Sequence, residues 1–433
     1  MLTRRSLLVN GSLAVAATAV AAPPQSNDSH SWDAVRRQFD VNPGFVHLGL
    51  FYLVSHPRPV REAIDAYRRR IDANPLLTIE HSLFEKREDN LNLRVEKALA
   101  GYIGASETDI ALTQNTTTGL ALIYHGLPLQ AGDEVLTTTH DHMVHHEAIR
   151  FASERAGATV RKIALFDSHD AIGADEIVAR IRKAIAPKTR VVGVTWVHSS
   201  TGLKLPIRRI ADAIAEVNAN RDAGNRVLLV VDGVHGLGVE PPNIAALGAD
   251  AFSAGTHKWL FAPRGTGFVW ARPEVWASMR PIIPTFSAGE LFMAWAAETK
   301  PQGPARAAWF TPGGFQAYEH WWGVPAAIDF HRSIGSARIT ERIHSLNEQA
   351  KNELAKMPHV TLYTPRSRDL SAGIVTFDVK GMTAPQVVQR LLERDKILAS
   401  TTPYRVSYAR IAFGIQNDEA EVEKTLRAIR ALS

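Results

Sequence analysis

Between residues 100 and 275, short apolar runs alternate with segments of helical pattern. This alternation limits the possible folds more than any other feature of the chain. The clearest run, at residues 227–232, reads Val-Leu-Leu-Val-Val-Asp. Such a strand needs apolar cover on both of its faces, which is typical of parallel sheets. The alternation of strands and helices therefore predicts an α/β fold with a mostly parallel sheet.

The predicted elements of this part of the chain are strands and helices in turn. We place the strands at residues 110–113, 134–138, 159–165, 190–197, 227–232, 251–254 and 267–271. We place the helices at residues 119–126, 144–156, 174–185 and 207–218. Open α/β sheets bind ligands beyond the carboxyl ends of their strands, so the polar residues that follow these strands are the candidates for function.

After about residue 325 the pattern changes to a smaller α+β arrangement. It predicts one long helix at 325–356, strands at 360–363, 373–379 and 404–413, and a helix at 385–394. A last helix is expected to begin with Asn417 as its cap, followed by acids that suit the positive end of the helix dipole. We therefore expect four parts: a signal peptide (1–21), an N-terminal arm (22–45), a large domain (46–324) and a small C-terminal domain (325–433).

The first 21 residues predict an export signal. Arg4 and Arg5 precede an alanine-rich run that is too short and too polar to span a bilayer well, and residues 19–21 (Ala-Val-Ala) fit the small-x-small cleavage pattern. The segment around the two arginines resembles the twin-arginine signal, which exports folded proteins. We expect a periplasmic protein without a membrane anchor after cleavage; the alternative is an ordinary amphipathic tail.

The 433-residue chain contains no cysteine. A disulfide framework, a thiolate metal site and a catalytic thiol are therefore excluded. The formal net charge of +5 comes from scattered lysines and arginines rather than from a basic cluster. We therefore expect no nucleic-acid partner.

Two strand ends carry residues suited to an anionic ligand and to a buried ion pair. Thr116 and Thr117 follow the strand at 110–113 and open a helix, where N–H groups and hydroxyls suit a phosphate. A threonine-rich cap without a ligand is the alternative. Asp232 ends an apolar strand, so its carboxylate needs a cation or strong hydrogen bonds. The alternative there is a structural turn that leads to His235.

A lysine follows the strand at 251–254, in the segment Thr256-His257-Lys258-Trp259. A lysine beside small residues and an aromatic ring, at a strand end, can be desolvated and kept nucleophilic. The alternative is a solvated lysine on a surface loop.

Residues 140–146 contain four histidines and one aspartate. His142 and His146 would share one face of a helix, which is a metal-binding spacing, but the usual glutamate between them and a third ligand are missing. We therefore predict no metal site. The ring of His142 is better suited to stacking on a flat cofactor.

Together these segments offer a phosphate cradle, an aromatic shelf, a buried acid and a buried lysine. Pyridoxal phosphate needs this set, because its phosphate binds a helix end, its aldehyde reacts with a lysine and its ring nitrogen pairs with an acid. We therefore predict pyridoxal 5′-phosphate as the cofactor.

From about residue 42 to its end, the chain resembles the class V aminotransferase family of fold-type I pyridoxal-phosphate enzymes. The resemblance implies that Lys258 binds the cofactor covalently and acts as the base at the substrate's α-carbon. It also implies that Asp232 pairs with the ring nitrogen, that His235 lies near the phenolic oxygen and that His142 stacks on the ring.

The same resemblance assigns the phosphate and substrate contacts. The implied phosphate ligands are Thr116, Thr117 and His257, with Thr256 assisting. Thr311, in the segment Phe-Thr-Pro-Gly, matches a phosphate contact that comes from a second subunit, which implies a homodimer. Arg410 matches the arginine that binds the substrate's α-carboxylate.

Two departures from the family pattern reduce the number of reactions that the chain could catalyse. Cysteine desulfurases of this family use a mobile cysteine, which this chain lacks, and residues 196–202 lack the asparagine that desulfurases place there. Residues 55–60 and 256–260 look closer to the isopenicillin N epimerase-like branch, and some exported members of that group modify siderophores. We expect an aminotransferase-like enzyme acting on an amino-acid or peptidic amine. The alternatives are an epimerase, a carbon–sulfur lyase without a catalytic cysteine, and an amine-binding protein that retains the cofactor site.

Overall fold

The computed structural model describes residues 31–85, 87–169 and 172–432. The predicted signal peptide lies outside the described residues. The strands, in chain order, are β1 Val46–His47, β2 Ile110–Thr113, β3 Glu134–Thr138, β4 Thr159–Ile163, β5 Thr189–Thr195, β6 Leu228–Asp232, β7 Ala251–Gly255, β8 Gly267–Ala271, β9 Val360–Leu362, β10 Val375–Val379, β11 Ile397–Leu398, β12 Ser400–Thr401 and β13 Ala409–Ile411.

Sixteen α-helices accompany these strands in the described part of the chain. They are α1 Trp32–Arg36, α2 Arg58–Ala73, α3 Pro75–Ile79, α4 Leu91–Ile103, α5 Thr116–Gly126, α6 Met143–Ala156, α7 Ala174–Ala184, α8 Ile207–Asn218, α9 Ile244–Leu247, α10 Pro273–Ser278, α11 Gly289–Ala296, α12 Tyr318–Trp321, α13 Val324–Ile334, α14 Ser336–Leu354, α15 Ala384–Asp395 and α16 Glu419–Arg430. None of them is both long enough and apolar enough to traverse a bilayer.

A seven-stranded sheet with the order β2-β8-β7-β6-β5-β3-β4 forms the centre of the fold. Its strands pair in parallel except at β8, which is antiparallel to both β2 and β7. Alternate residues of one strand enter different cores: Leu229 and Val231 pack in one, and Val230 packs in the other. Both faces are therefore covered, and the predicted α/β fold with a mostly parallel sheet is confirmed.

A second sheet, with the order β12-β13-β10-β9, is antiparallel and packs in a core of its own. That core consists mainly of residues after 345, but it also includes Val46 and Leu48. The reason is that β1 pairs in parallel with β11. The segment around Val46 is thus fastened to the C-terminal part.

Two of the elements predicted for the C-terminal part were wrong in their extent. The helix expected at 325–356 is divided into α13 and α14 at Gly335, whose φ of 95° ends the first helix. The strand expected at 404–413 is reduced to β13, because residues 402–408 form a loop. In that loop Ser407 Oγ donates to the carbonyl of Thr402 at 2.8 Å, and Tyr408 N–H donates to Thr402 Oγ1 at 2.9 Å.

The expected cap of the last helix was off by one residue. Asp418 caps α16, and its Oδ1 accepts the N–H of Glu421 at 2.8 Å. The side chain of Asn417 is used elsewhere: Oδ1 accepts the N–H of Gly414 at 3.0 Å, and Nδ2 donates to the carbonyl of His47 at 3.3 Å.

Candidate active site

One cavity of about 160 Å³ lies at the carboxyl ends of the central strands and under the β12–β13 loop. The residues that line it are Phe51, Tyr52, Asn115, Thr116, Thr117, His142, Val144, Thr195, Ser199, Asp232, Val234, His235, His257, Lys258, Pro403, Tyr404 and Arg410. All of the site residues predicted from the sequence are brought together here except Thr256 and Thr311. Four larger clefts on the described part of the chain contain none of them.

The amino end of α5 opens into this cavity. Asn115 caps the helix, and its Oδ1 accepts the N–H of Thr118 at 2.9 Å. Thr116 Oγ1 accepts the N–H of Gly255 at 2.7 Å, which joins the start of α5 to the end of β7. Helix ends of this kind attract anions, since their first N–H groups carry partial positive charge.

A buried acid and a buried amine share the cavity. Asp232, the last residue of β6, accepts the N–H of Val234 at 3.1 Å. Burial raises its pKa to about 6, against the attraction of Lys258. Burial also lowers the pKa of Lys258 to about 8, against the attraction of Asp232. A desolvated carboxylate of this kind favours a cationic partner, and a desolvated amine is more readily neutral and nucleophilic.

The tautomer of His235 follows from its two neighbours. Trp259 Nε1–H donates to His235 Nδ1 at 3.3 Å, and an indole N–H can only donate. Burial holds the pKa of His235 well below its usual value, so the ring is neutral and its proton lies on Nε2. That nitrogen is 3.2 Å from Lys258 Nζ, and its N–H can donate to the lysine whenever the amine is neutral.

Arg410, on β13, supplies a buried cation. Its guanidinium donates to the carbonyl of Ser199 at 3.0 Å, to Ser400 Oγ at 3.1 Å and to the carbonyl of Thr401 at 3.4 Å. The guanidinium carbon also lies 4.7 Å from the centre of the Phe51 ring. Within the part of the chain that the structure describes, no carboxylate forms a salt bridge with it. The cavity therefore has a free cation for an anionic ligand.

His142 and Tyr404 form an aromatic corner of the cavity. His142 caps α6, and its Nδ1 accepts the N–H of Val144 at 3.3 Å. Its ring meets the Tyr404 ring at 5.6 Å and 85°, and burial lowers its pKa. The Tyr404 hydroxyl is 2.8 Å from Ser199 Oγ. Tyr404 was not predicted as a site residue, because the pattern of residues 404–413 is typical of a strand.

These strand-end groups are those of a known family. Residues 55–425 match the family model for aminotransferase class-V. The chain belongs to this family. The predicted resemblance is confirmed, and so is pyridoxal 5′-phosphate as the cofactor, since the family depends on it.

Members of the class-V family that are similar to this chain catalyse different reactions. The isopenicillin N epimerase of Streptomyces clavuligerus is 28% identical over 418 residues, which are 93% of this chain and 98% of the epimerase. A probable cysteine desulfurase of Vibrio cholerae is 26% identical over 422 residues, which cover 92% and 97% of the two chains. Family membership therefore establishes the cofactor and the enzyme class, but not the reaction.

A solved structure agrees at the level of the fold. C-DES with glycine covalently linked to its PLP cofactor superposes with a TM-score of 0.77 at 22% identity, covering 91% of this chain and 98% of that one. Another structure describes the same enzyme as a cystine C–S lyase.

The residues of this class-V chain fit the cofactor. The end of α5 provides a phosphate cradle, and Gly255 beside it is tightly enclosed: a Cβ there would lie 2.8 Å from the ring of His257. Asp232 and Lys258 are buried groups whose charges need a partner, and the Nε2–H of His235 is aimed into the same space. The ring nitrogen, the aldehyde and the phenolic oxygen of the cofactor would be matched by Asp232, Lys258 and His235, respectively.

The structure places Thr256 and Thr311 away from the cavity of their own chain. The Thr256 hydroxyl is 2.6 Å from that of Thr266 and is fully buried, so assistance in phosphate binding is not supported by its position. Thr311 Oγ1 accepts the N–H of Leu112 at 3.0 Å, and only 2% of the residue is exposed. Its expected contact with a second subunit stays a prediction.

Within the histidine run at 140–146, His145 packs against Asp141, with its Nδ1 3.7 Å from the carboxylate. That carboxylate accepts hydrogen bonds from the backbone and side chain of Thr138 and from the N–H of Thr195, at 2.6–2.9 Å. Burial alone would raise its pKa, but His198, His145 and these bonds outweigh burial and lower it. Within residues 31–432, apart from the undescribed positions, no cluster of three or more such side chains could hold a metal.

Proposed function

We propose that this class-V enzyme is aminotransferase-like and acts on the amine of an amino-acid or peptidic substrate, with siderophore precursors as one candidate group. The observation that supports this most is the pairing of Arg410 with Lys258 in one small cavity. A buried guanidinium without a carboxylate partner suits an α-carboxylate, and a buried amine whose pKa is lowered suits proton transfer at the α-carbon.

Each residue has a defined role in this proposal. Arg410 fixes the α-carboxylate through two parallel charge-assisted hydrogen bonds and thereby orients the α-carbon. Lys258 takes the proton from that carbon. Asp232 keeps a proton on the ring nitrogen, and His235 donates Nε2–H to the phenolic oxygen. Bound pyridoxal phosphate supplies the electron sink for this chemistry.

The test is product analysis on a panel of amines with the loaded enzyme. Formation of 2-oxo acid with a recipient 2-oxo acid present supports transamination. Complete absence of turnover on the panel, with the cofactor bound, would contradict the enzyme proposal and favour an amine-binding protein.

Epimerisation is a second candidate, and the similarity to isopenicillin N epimerases over more than nine-tenths of the chain favours it. Carbon–sulfur bond cleavage without a catalytic cysteine is a third outcome, and the fold similarity to a cystine C–S lyase is consistent with it. Chiral chromatography identifies the second outcome, and release of sulfide or persulfide identifies the third.

We also propose that the enzyme is a homodimer. Five large apolar side chains between residues 286 and 315 are exposed by 53–77%: Phe286, Phe292, Met293, Trp295 and Phe315. An exposed patch of this kind is typical of an interface, and it flanks the segment with Thr311. Trp295→Glu should weaken the dimer in analytical ultracentrifugation, whereas Phe151→Glu, at an exposed ring on α6, should not.

Export through the twin-arginine pathway completes the proposal. The cofactor is made in the cytoplasm, so a protein that binds it there must be exported in the folded state. Replacing Arg4 and Arg5 together by lysine should leave active, cofactor-loaded protein in the cytoplasm, as measured by fractionation. A double variant that still reaches the periplasm with cofactor bound would contradict this route.

A further inference from the structure

We propose that Tyr404 is a second proton-transfer residue of this site, acting on the substrate's α-carbon from the small-domain side while Lys258 acts from the large-domain side. This inference rests on the proposed function, because it concerns the same α-carbon. It assigns a role to a side chain that no sequence motif indicates, and it bears on which reaction the enzyme catalyses.

The two residues reach the cavity from different walls. The large-domain wall comprises Thr116, Thr117, Asp232, His235 and Lys258, which lie at the ends of the central strands. The small-domain wall comprises Pro403, Tyr404 and Arg410, from the β12–β13 hairpin. Lys258 contacts His235 on the first wall, whereas Tyr404 comes from the small-domain hairpin and its hydroxyl contacts Ser199, in the loop that follows β5.

Ser199 places the Tyr404 hydroxyl next to the expected position of the α-carbon. Its Oγ is 2.8 Å from the hydroxyl of Tyr404, and its carbonyl accepts from Arg410 at 3.0 Å. The phenol and the guanidinium are therefore fixed by the same residue. The α-carbon is one bond from the carboxylate that Arg410 would bind, so it would lie beside this hydroxyl.

The surroundings of Tyr404 favour a neutral phenol that can donate its proton. Burial raises the pKa of Tyr404, and Asp141 and Asp232 raise it further, whereas the bond to Ser199 and the charge of Arg410 lower it. The hydroxyl is therefore protonated before the reaction. Arg410 would stabilise the phenolate that forms when the proton leaves.

The proposed step exchanges one proton for another. Lys258 takes the α-proton, which breaks the C–H bond and leaves its electron pair with the substrate and its electron sink. The O–H bond of Tyr404 then breaks, and its proton forms a new C–H bond with that pair on the opposite side. Tyr404 recovers a proton from water and Lys258 returns one to water, so no oxidant or reductant is needed.

The test measures α-hydrogen exchange in D₂O by mass spectrometry, with the common chiral amino acids supplied as separate L and D sets. We expect the loaded wild-type enzyme to exchange both enantiomers of its substrate. Tyr404→Phe should reduce exchange of one enantiomer at least about 100-fold and change the other less than about fivefold. The ring remains in place against His142, so the cofactor absorbance and unfolding temperature should be unchanged.

Two control variants separate proton transfer from a structural role. Tyr408→Phe makes the same change in the same loop, at a ring that stacks on Tyr363 outside the cavity, and should change neither enantiomer. Ser199→Ala removes the bond that positions the hydroxyl but leaves the proton donor in place, so exchange of the enantiomer that depends on Tyr404 should fall clearly less than in Tyr404→Phe. An equal loss in Ser199→Ala and Tyr404→Phe would show that only the bond between them matters.

The remaining outcomes distinguish this inference from the proposed function. Exchange of a single enantiomer by wild type and Tyr404→Phe alike would overturn the role of Tyr404 and leave the proposed function intact. A Tyr404→Phe variant that slows both enantiomers equally would also overturn it. Exchange of neither enantiomer by the loaded wild-type enzyme would overturn both.

Discussion

The two walls of the cavity differ in what holds their functional groups. On the large-domain wall, Asp232 and Lys258 stand at or just beyond the ends of two adjacent strands that are five residues long and almost fully buried. On the small-domain wall, Tyr404 and Arg410 belong to a hairpin whose strands are two and three residues long. The first wall suits the cofactor, on which the whole family depends. The second suits the substrate, which differs between members.

We therefore expect substitutions on the two walls to have different effects. Changes on the large-domain wall should damage every reaction that the cofactor supports, whatever the substrate. Changes on the small-domain wall should alter which substrate binds or which product forms, and should leave cofactor binding intact.

Removal of the amine should have the largest effect. Lys258→Ala should abolish the absorbance band of the lysine-bound cofactor and reduce turnover by at least about 10³-fold, ~4 kcal/mol of barrier. The physical reason is that no other residue lining the cavity carries an amine. Borohydride reduction and peptide mapping of the wild-type protein check the assignment, and a label on a different lysine would refute it.

Removal of the buried negative charge should rank second. Asp232→Asn keeps the shape of the side chain but cannot hold the ring nitrogen protonated. Turnover should fall roughly 10²-fold, about 3 kcal/mol, with cofactor still bound. Single-turnover measurement of α-proton removal tests this. A rate near that of the wild type would show that Asp232 only stabilises the turn after β6, through its bond to the N–H of Val234.

The large-domain wall could be predicted well from the sequence, because its residues follow long apolar strands that fix their direction. Lys258 and Asp232 lie where the strand pattern placed them, at the carboxyl ends of neighbouring strands in one sheet. The pairing of Trp259 with His235 was not predictable, since it joins side chains from two strand ends at an angle that no periodicity encodes.

The small-domain wall was predicted in part. Arg410 was found through family resemblance, but Tyr404 was lost in an expected strand. The pattern of residues 404–413 is typical of a strand, and only the side-chain bonds from Ser407 and the backbone of Tyr408 to Thr402 show that the chain turns instead. Gly335 gave a comparable error, because one glycine within a long helical pattern does not reveal a φ of 95°.

Arg410 offers the first test of the second wall. Arg410→Lys keeps the charge but loses the planar pair of donors, so KM for amines with an α-carboxylate should rise roughly 10- to 100-fold, ~1–3 kcal/mol. The kcat should change less, and cofactor absorbance should be unchanged. Amines without an α-carboxylate act as the control. Equal losses for both kinds of amine would show that Arg410 supports the hairpin rather than substrate binding.

The smallest effect is expected for Trp259→Phe. This substitution tests the large-domain wall indirectly, because Trp259 acts only through its hydrogen bond to His235. The phenyl ring can keep the stacking on Phe51, at 5.9 Å and 20°, but it cannot donate to His235 Nδ1. The proton of His235 is then free to occupy either nitrogen, and its bond to the cofactor's phenolic oxygen is weakened. One net hydrogen bond is about 1 kcal/mol, so turnover should fall roughly fivefold.

Two measurements that do not depend on turnover decide this last prediction. In the cofactor-free protein, ¹⁵N NMR should show the Nε2–H tautomer of His235 in the wild type and a mixture of tautomers in Trp259→Phe. In the loaded protein, the midpoint of the cofactor's absorbance titration should move to higher pH, because a weaker donor stabilises the phenolate less. Trp276→Phe is the matched control, since that buried indole donates to the carbonyl of Asp109 instead. A Trp259→Phe protein with the wild-type tautomer and titration midpoint would mean that Lys258 or the surrounding burial, rather than the indole, fixes His235.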